Sequence, residues 1–253
     1  MKTIRGCYLP WVTALAVSTQ VVSTSAAMAV ATPALSVVTS PTLPVGTPSK
    51  LAQQNIKNTA MHADTLAFLR AFLPWCGQTF SGRVVVDNAK DPRFDGQELR
   101  LHIADCPSLS SYLQASSPPS TMPKLSTAPL LRMPFHVGTD QSRTWLFSIT
   151  EQGLHFQHQH LHPDGQPDAV SMYGGYLTHV EATSSQQVRY DFPVDEFSKS
   201  MFTKNNMAVS NTNTWQIVLQ YDAQQQVSAM QYQLVRPGRQ FTVRFEFSSP
   251  QAL

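Results

Sequence analysis

The sequence predicts an all-β protein: an antiparallel meander of about nine or ten strands closed as a β-barrel, preceded by an N-terminal helix. Three observations carry this prediction. Apolar and polar residues alternate with period two over most of residues 84–247, as strands with one buried and one wet face require. Gly-containing turn signals separate these runs, at Phe94-Asp95-Gly96, Glu151-Gln152-Gly153, Pro163-Asp164-Gly165 and Pro237-Gly238. One long stretch of helical periodicity comes before all of them.

The elements follow in chain order. Met1-Lys2-Thr3-Ile4-Arg5 is a basic start, Tyr8 to Val22 is apolar and uncharged, and Ala27-Met28-Ala29 is a small-x-small cleavage site. Together they predict a signal peptide over residues 1–29. Ser and Thr from position 18 onward break the run of about 20 apolar residues that a membrane span needs. Export to the periplasm or beyond is therefore expected, with no integral membrane segment after cleavage. The whole chain has 18 Lys+Arg against 16 Asp+Glu; losing Lys2 and Arg5 leaves the two balanced, which argues against nucleic acid as a partner.

Residues 30–49, with four prolines among Ser, Thr, Ala and Val, predict a disordered leader. A single β-rich domain follows at 50–253. Ser49 precedes a helix over 50–73, on which Leu66, Leu69 and Leu73 recur at helical spacing beside Phe68 and Phe72, until Pro74 ends it. Cys76 and Cys106 are the cysteines left after cleavage, and in an exported chain they predict one disulfide. The Ser- and Pro-rich stretch 107–129 reads as an irregular surface loop.

Strands are expected around Val84–Val86, Leu99–Ile103, Met133–Val137, Trp145–Ile149, Leu154–Phe156, Val188–Phe192, Trp215–Tyr221, Met230–Leu234 and Phe241–Phe247. Successive hairpins favour a closed meander of lipocalin-like shape over the alternative, a two-sheet sandwich. A short helix is expected from Asp195 to Phe202.

Leu154-His-Phe-Gln-His-Gln-His-Leu-His162 concentrates four of the eight histidines. In a strand, Leu154, Phe156, His158 and His160 share a face, and His155 lies on the other. The Glu-Gln-Gly turn joins this strand to the preceding one, whose apolar face carries Arg143, Trp145, Phe147 and Ile149. Burying both apolar faces together sets Ile149 opposite Leu154, Phe147 opposite Phe156, Trp145 opposite His158 and Arg143 opposite His160. The interior is then apolar at one end and lined with imidazole and guanidinium at the other. Arg143, Trp145, His158, His160 and Tyr173 are the candidate ligand-binding residues.

His-x-His on one strand also has the geometry of a metal site, with His162, His136, His179 or Asp164 as a further ligand, among which the sequence does not select, and a divalent ion such as zinc as the cofactor. The opposing expectation is that these imidazoles hydrogen-bond to Tyr173, backbone or solvent. Nucleophile-elbow, phosphate-loop, dinucleotide and His-Glu-x-x-His motifs are absent from the sequence. Tyr173-Gly174-Gly175 reads as a bend or bulge in a strand. Asp87, Asp91 and Asp95 read as solvated turn acids, and Arg236-Pro-Gly-Arg239 as a tight turn whose arginines face water.

Pro134-Phe-His-Val-Gly138, Ser142-Arg-Thr-Trp145, His158-Gln-His-Leu-His162, Asp164-Gly165, Tyr173-Gly-Gly175, Phe192-Pro-Val-Asp195, Asn213-Thr-Trp215 and Arg236-Pro-Gly-Arg239 resemble a group of uncharacterised exported bacterial β-rich proteins. The resemblance spans roughly residues 80–248. It implies one shared domain and carries no activity, cofactor or partner. The function expected from the residues is non-enzymatic binding of a small molecule at the His/Arg end of the barrel. The alternatives are a metal-binding protein or metal-dependent enzyme built on His158 and His160, and a structural or interaction protein of the cell envelope. The sequence leaves the oligomeric state open.

Overall fold

The computed structural model describes residues 49–104, 106–115, 128–247 and Pro250. The expected signal peptide, the leader as far as residue 48, and the 116–127 part of the expected loop lie outside the described residues.

Eleven strands form one antiparallel sheet: β1 Thr79–Asp87, β2 Leu99–His102, β3 Leu131–Val137, β4 Asp140–Thr150, β5 Gly153–His160, β6 Tyr173–Tyr176, β7 His179–Ser184, β8 Gln187–Pro193, β9 Thr214–Tyr221, β10 Val227–Arg236 and β11 Arg239–Glu246. Each strand pairs with its neighbours in sequence except at one place. β1 pairs with β11, and β6 and β7 are the two edges. A sheet that returns its last strand to its first curls on itself, and here it forms a half-barrel, not two stacked sheets. Two of the eleven strands carry no alternation. β7 is exposed at nearly every position, and β6 contains two adjacent glycines.

Those glycines mark the seam of the curl. Consecutive residues tie to the two opposite arms of the sheet: Leu177 N–H donates to Leu154 C=O of β5 at 2.9 Å, and Thr178 N–H to Asp191 C=O of β8 at 3.1 Å. Gly175 forms an isolated bridge with Val194, and Asp195 N–H donates to Gly174 C=O at 3.0 Å. A Cβ on Gly174 would lie 1.8 Å from the Phe156 carbonyl oxygen, and one on Gly175 would lie 1.9 Å from that of Pro193. Only glycine lets these backbones approach so closely.

Helix α1, Lys50–Ala71, closes one end of the half-barrel. Leu66, Phe68, Leu69 and Phe72 are buried on its inner face. Phe68 touches Phe147 of β4 at 5.0 Å and Tyr190 of β8 at 4.9 Å between ring centres. A 3-10 turn, Leu73–Trp75, follows, and Trp75 packs edge-on against Phe80 of β1. Cys76 is disulfide-bonded to Cys106, with Cα atoms 5.7 Å apart. Cross-linking a loop of this length contributes about 3–4 kcal/mol in the chain-entropy account.

The structure corrects the expected loop after Cys106. Residues Pro107–Ala115 form helix α2, with Leu109, Tyr112 and Leu113 buried. Pro107 sits at the first helical position, where its missing N–H breaks no intrahelical bond, so a proline that reads as loop in composition opens a helix. Helix α3 is Glu196–Lys204. Asp195 caps it by accepting from Ser198 N–H, and a 3-10 segment, Ala208–Thr212, follows. Among the described residues, no helix is long and apolar enough to cross a membrane.

Candidate functional site

At the end opposite α1 the half-barrel holds a cavity of about 580 Å³, within the range of small-molecule pockets. Its floor comes from inward positions of β3–β6 and β9–β11: Phe135, Trp145, His158, Tyr173, Trp215, Tyr232 and Phe241. The walls are the β1–β2 loop, through Asp91, Arg93 and Phe94, and the α3 region, through Phe202, Met207 and Val209.

β4 and β5 pair in the register that parity predicts. Ile149 lies opposite Leu154, Phe147 opposite Phe156, Trp145 opposite His158 and Arg143 opposite His160. Arg143, Trp145, His158, His160 and Tyr173 all line the same cavity. His155 faces the other way. There its Nε2 meets Asp195 Oδ2 at 2.8 Å and its ring stacks on Tyr176. Burial pushes the Asp195 carboxyl up, but the hydrogen bonds from His155 and Ser198 outweigh it and hold the group below the usual carboxylate range. Asp195 Oδ1 accepts from Ser198 N–H at 2.7 Å, and Ser198 Oγ accepts from Gly174 N–H at 2.7 Å. This outer network pins α3 to the seam and so positions the α3 wall of the cavity.

The floor is wired by polar atoms on aromatic rings. Burial drops the His158 pKa to about 3, so its ring is neutral and one nitrogen carries the proton. Nδ1 lies 3.2 Å from the Tyr173 carbonyl oxygen, which can only accept, so the proton is on Nδ1. Nε2 then accepts from the Tyr232 hydroxyl at 3.0 Å, and Tyr232 in turn accepts from Trp215. Stacking holds the rings flat: Tyr232 on Trp145 at 4.5 Å and Tyr173 on His158 at 4.7 Å. His160 Nε2 meets the Tyr173 hydroxyl at 3.1 Å. Burial, reinforced by Arg143, lowers the His160 pKa. Burial also raises the Tyr173 phenol to about 12.

Above this floor the rim is cationic. Four arginines line the cavity: Arg93, Arg143, Arg236 and Arg239. Three have a carboxylate partner. Arg143 pairs with Asp140 at 2.5 Å, Arg93 with Asp91 at 2.6 Å, and Arg239 with Asp87. The Arg93 hydrogen bonds hold the Asp91 carboxyl below its ordinary pKa. Asp87 is also held down: burial raises it, and bonds from Arg239 and two backbone N–H groups reverse the effect.

Two sequence expectations are thus corrected. Arg236 and Arg239 are half-buried at the cavity mouth, and Asp87 and Asp91 are ion-pair partners of the rim. The β10–β11 hairpin reaches the cavity because the sheet curls, which a local turn motif does not record. Sequence reasoning also passed over Trp215 and Tyr232 as site residues. Strand parity puts both inside, yet their meeting with His158 spans 74 residues for Tyr232.

The histidines do not form a ligand set. Both His158 nitrogens are engaged within the protein, and His162 is exposed beyond the end of β5. Among the described residues, no group of three or more His, Cys, Asp or Glu is placed to share an ion. The hydrogen-bonding alternative describes His158 and His160 as they stand.

No protein-family model matches this chain, and no curated protein matches it.

Proposed function

We propose that this is an exported protein that binds a small organic molecule without transforming it, in the open end of the half-barrel. The observation that supports this is the cavity itself. It is large enough for a small ligand, floored by stacked aromatic rings and ringed by polar groups, whereas the opposite end of the same interior is filled. Burial of the ligand's apolar body against Trp145, Phe135 and Trp215 supplies the affinity. Export fits the Cys76–Cys106 disulfide, which persists in oxidising compartments. The polar atoms of the floor bond to one another and not to an accessible nucleophile, which favours binding over catalysis.

The test is titration with N-phenyl-1-naphthylamine, a neutral apolar fluorophore. One saturable site is expected, with quenching of tryptophan emission as the probe settles against Trp145 and Trp215. Leu234→Trp, which fills the cavity wall, should abolish both signals while the fold persists. Absence of saturable binding, or binding indifferent to that substitution, would overturn the proposal.

A further inference from the structure

The rim contains one cation that the protein does not neutralise. Arg236 donates from Nη1 to the Asn213 side-chain oxygen at 3.0 Å, and among the described residues it makes no ion pair. Asn213 is buried and neutral. The like charge of Arg239, whose own carboxylate partner is Asp87, acts on Arg236. A half-buried guanidinium facing another cation is unfavourable unless an anion joins them. Four of its five N–H donors are left for that anion, in a planar fork that matches the oxygens of a carboxylate or phosphate. The remaining rim arginines lie on β4 and the β1–β2 loop, each already matched by an aspartate, so Arg236 is the rim arginine left without a carboxylate partner among the described residues.

We infer that the ligand is an anionic amphiphile, with an apolar body on the aromatic floor and one carboxylate or phosphate head on Arg236. This rests on the binding reading above and names its ligand class. Asn213 positions the guanidinium. Arg239, paired with Asp87 and held over the Phe241 ring at 5.2 Å, borders the same side of the mouth. Exposed Met207 and Val209 border the opening, where the body of such a molecule enters.

Displacement of N-phenyl-1-naphthylamine by three chains of equal length tests this: dodecanoate, dodecyl phosphate and dodecanol. Both anions should compete at least tenfold better than the alcohol, and the better of the two identifies the head group. Arg236→Gln should weaken the anions by about tenfold to a hundredfold, the usual worth of a hydrogen bond to a charged group, and leave dodecanol unchanged. Arg236→Lys should restore part of the loss, and it serves as the readout if the glutamine variant does not fold. Equal competition by all three chains, or a uniform loss in Arg236→Gln, would overturn the anionic head while leaving a neutral-ligand site standing. If the fluorophore itself does not bind wild-type protein, the cavity reading falls first.

Discussion

The two ends of the half-barrel are built from the same strands with the same parity, yet they differ in the aromatic residues they use. At the α1 end the inward rings are Phe68, Phe72, Phe80, Phe147, Phe156, Phe192 and Phe247, all fully buried. None has a polar atom, so they interdigitate with a helix and leave nothing to satisfy. At the mouth the rings are Trp145, Trp215, Tyr173, Tyr232 and His158, and the polar atoms of the last four bond to one another, to His160 and to the Tyr173 carbonyl. A hydrogen-bonded aromatic floor is fixed in shape by contacts among its own rings, and this is what a preformed cavity needs. Close packing stabilises one end; the other is held open by polar wiring.

The largest effect expected from this division is at the closed end. Phe68→Ala removes a ring that touches Phe72, Phe147, Tyr190 and Phe192, and should lower the unfolding free energy by about 3–5 kcal/mol. Denaturant unfolding measures this. The same variant, where still folded, should bind N-phenyl-1-naphthylamine as wild type does. Loss of binding in folded Phe68→Ala would mean that the two ends are not separable.

Tyr232→Phe addresses the open end with a smaller change. It preserves the stacking on Trp145 but strips the hydroxyl that serves His158 and Trp215, leaving a buried acceptor and a buried donor without partners. A loss of about 1–3 kcal/mol is expected, with weaker fluorophore binding because the His158 ring is no longer oriented. Unchanged stability would show that the hydroxyl does not hold the floor, and the contrast with the phenylalanine end would lose its basis.

How much of this was legible in the sequence follows the range of each contact. The β4–β5 register, including Arg143 opposite His160, was readable because a tight hairpin leaves one register that buries both apolar faces. Export of His155 to the outer face came from the same parity. β7 was not readable, since it lacks a buried face, and neither was the role of Gly174 and Gly175 of β6, which serve backbone approach across the seam. Helix α2 was hidden behind a proline that suits a helix start. The rim cations Arg236 and Arg239 were assigned to water because the motif around them describes a turn, and a turn motif says nothing about which strands the curled sheet brings opposite. The anion-binding residue was therefore the least legible part of the site.

The last expected effect is a pH dependence, in which the open end carries the most deeply buried imidazole. An unfolded histidine takes up a proton near pH 6.5, whereas His158 in the fold resists protonation until about pH 3. Between those values the unfolded chain holds the extra proton, so stability is present above pH 6.5 and falls as pH drops through that window. The slope from one such group is about 1.4 kcal/mol per pH unit, and His160 and His136, also lowered by burial, add in the same direction. Asp87, Asp91 and Asp195 are shifted below the ordinary carboxylate value, so their losses begin only under about pH 4. Denaturant midpoints between pH 7 and pH 4.5 therefore isolate the imidazoles. His158→Gln can still donate to the Tyr173 carbonyl and accept from Tyr232, and it should flatten the slope over that interval. Phe68→Ala should shift the whole curve downward without changing its slope. A slope unaffected by His158→Gln would place the titrating group elsewhere and remove the electrostatic distinction between the two ends.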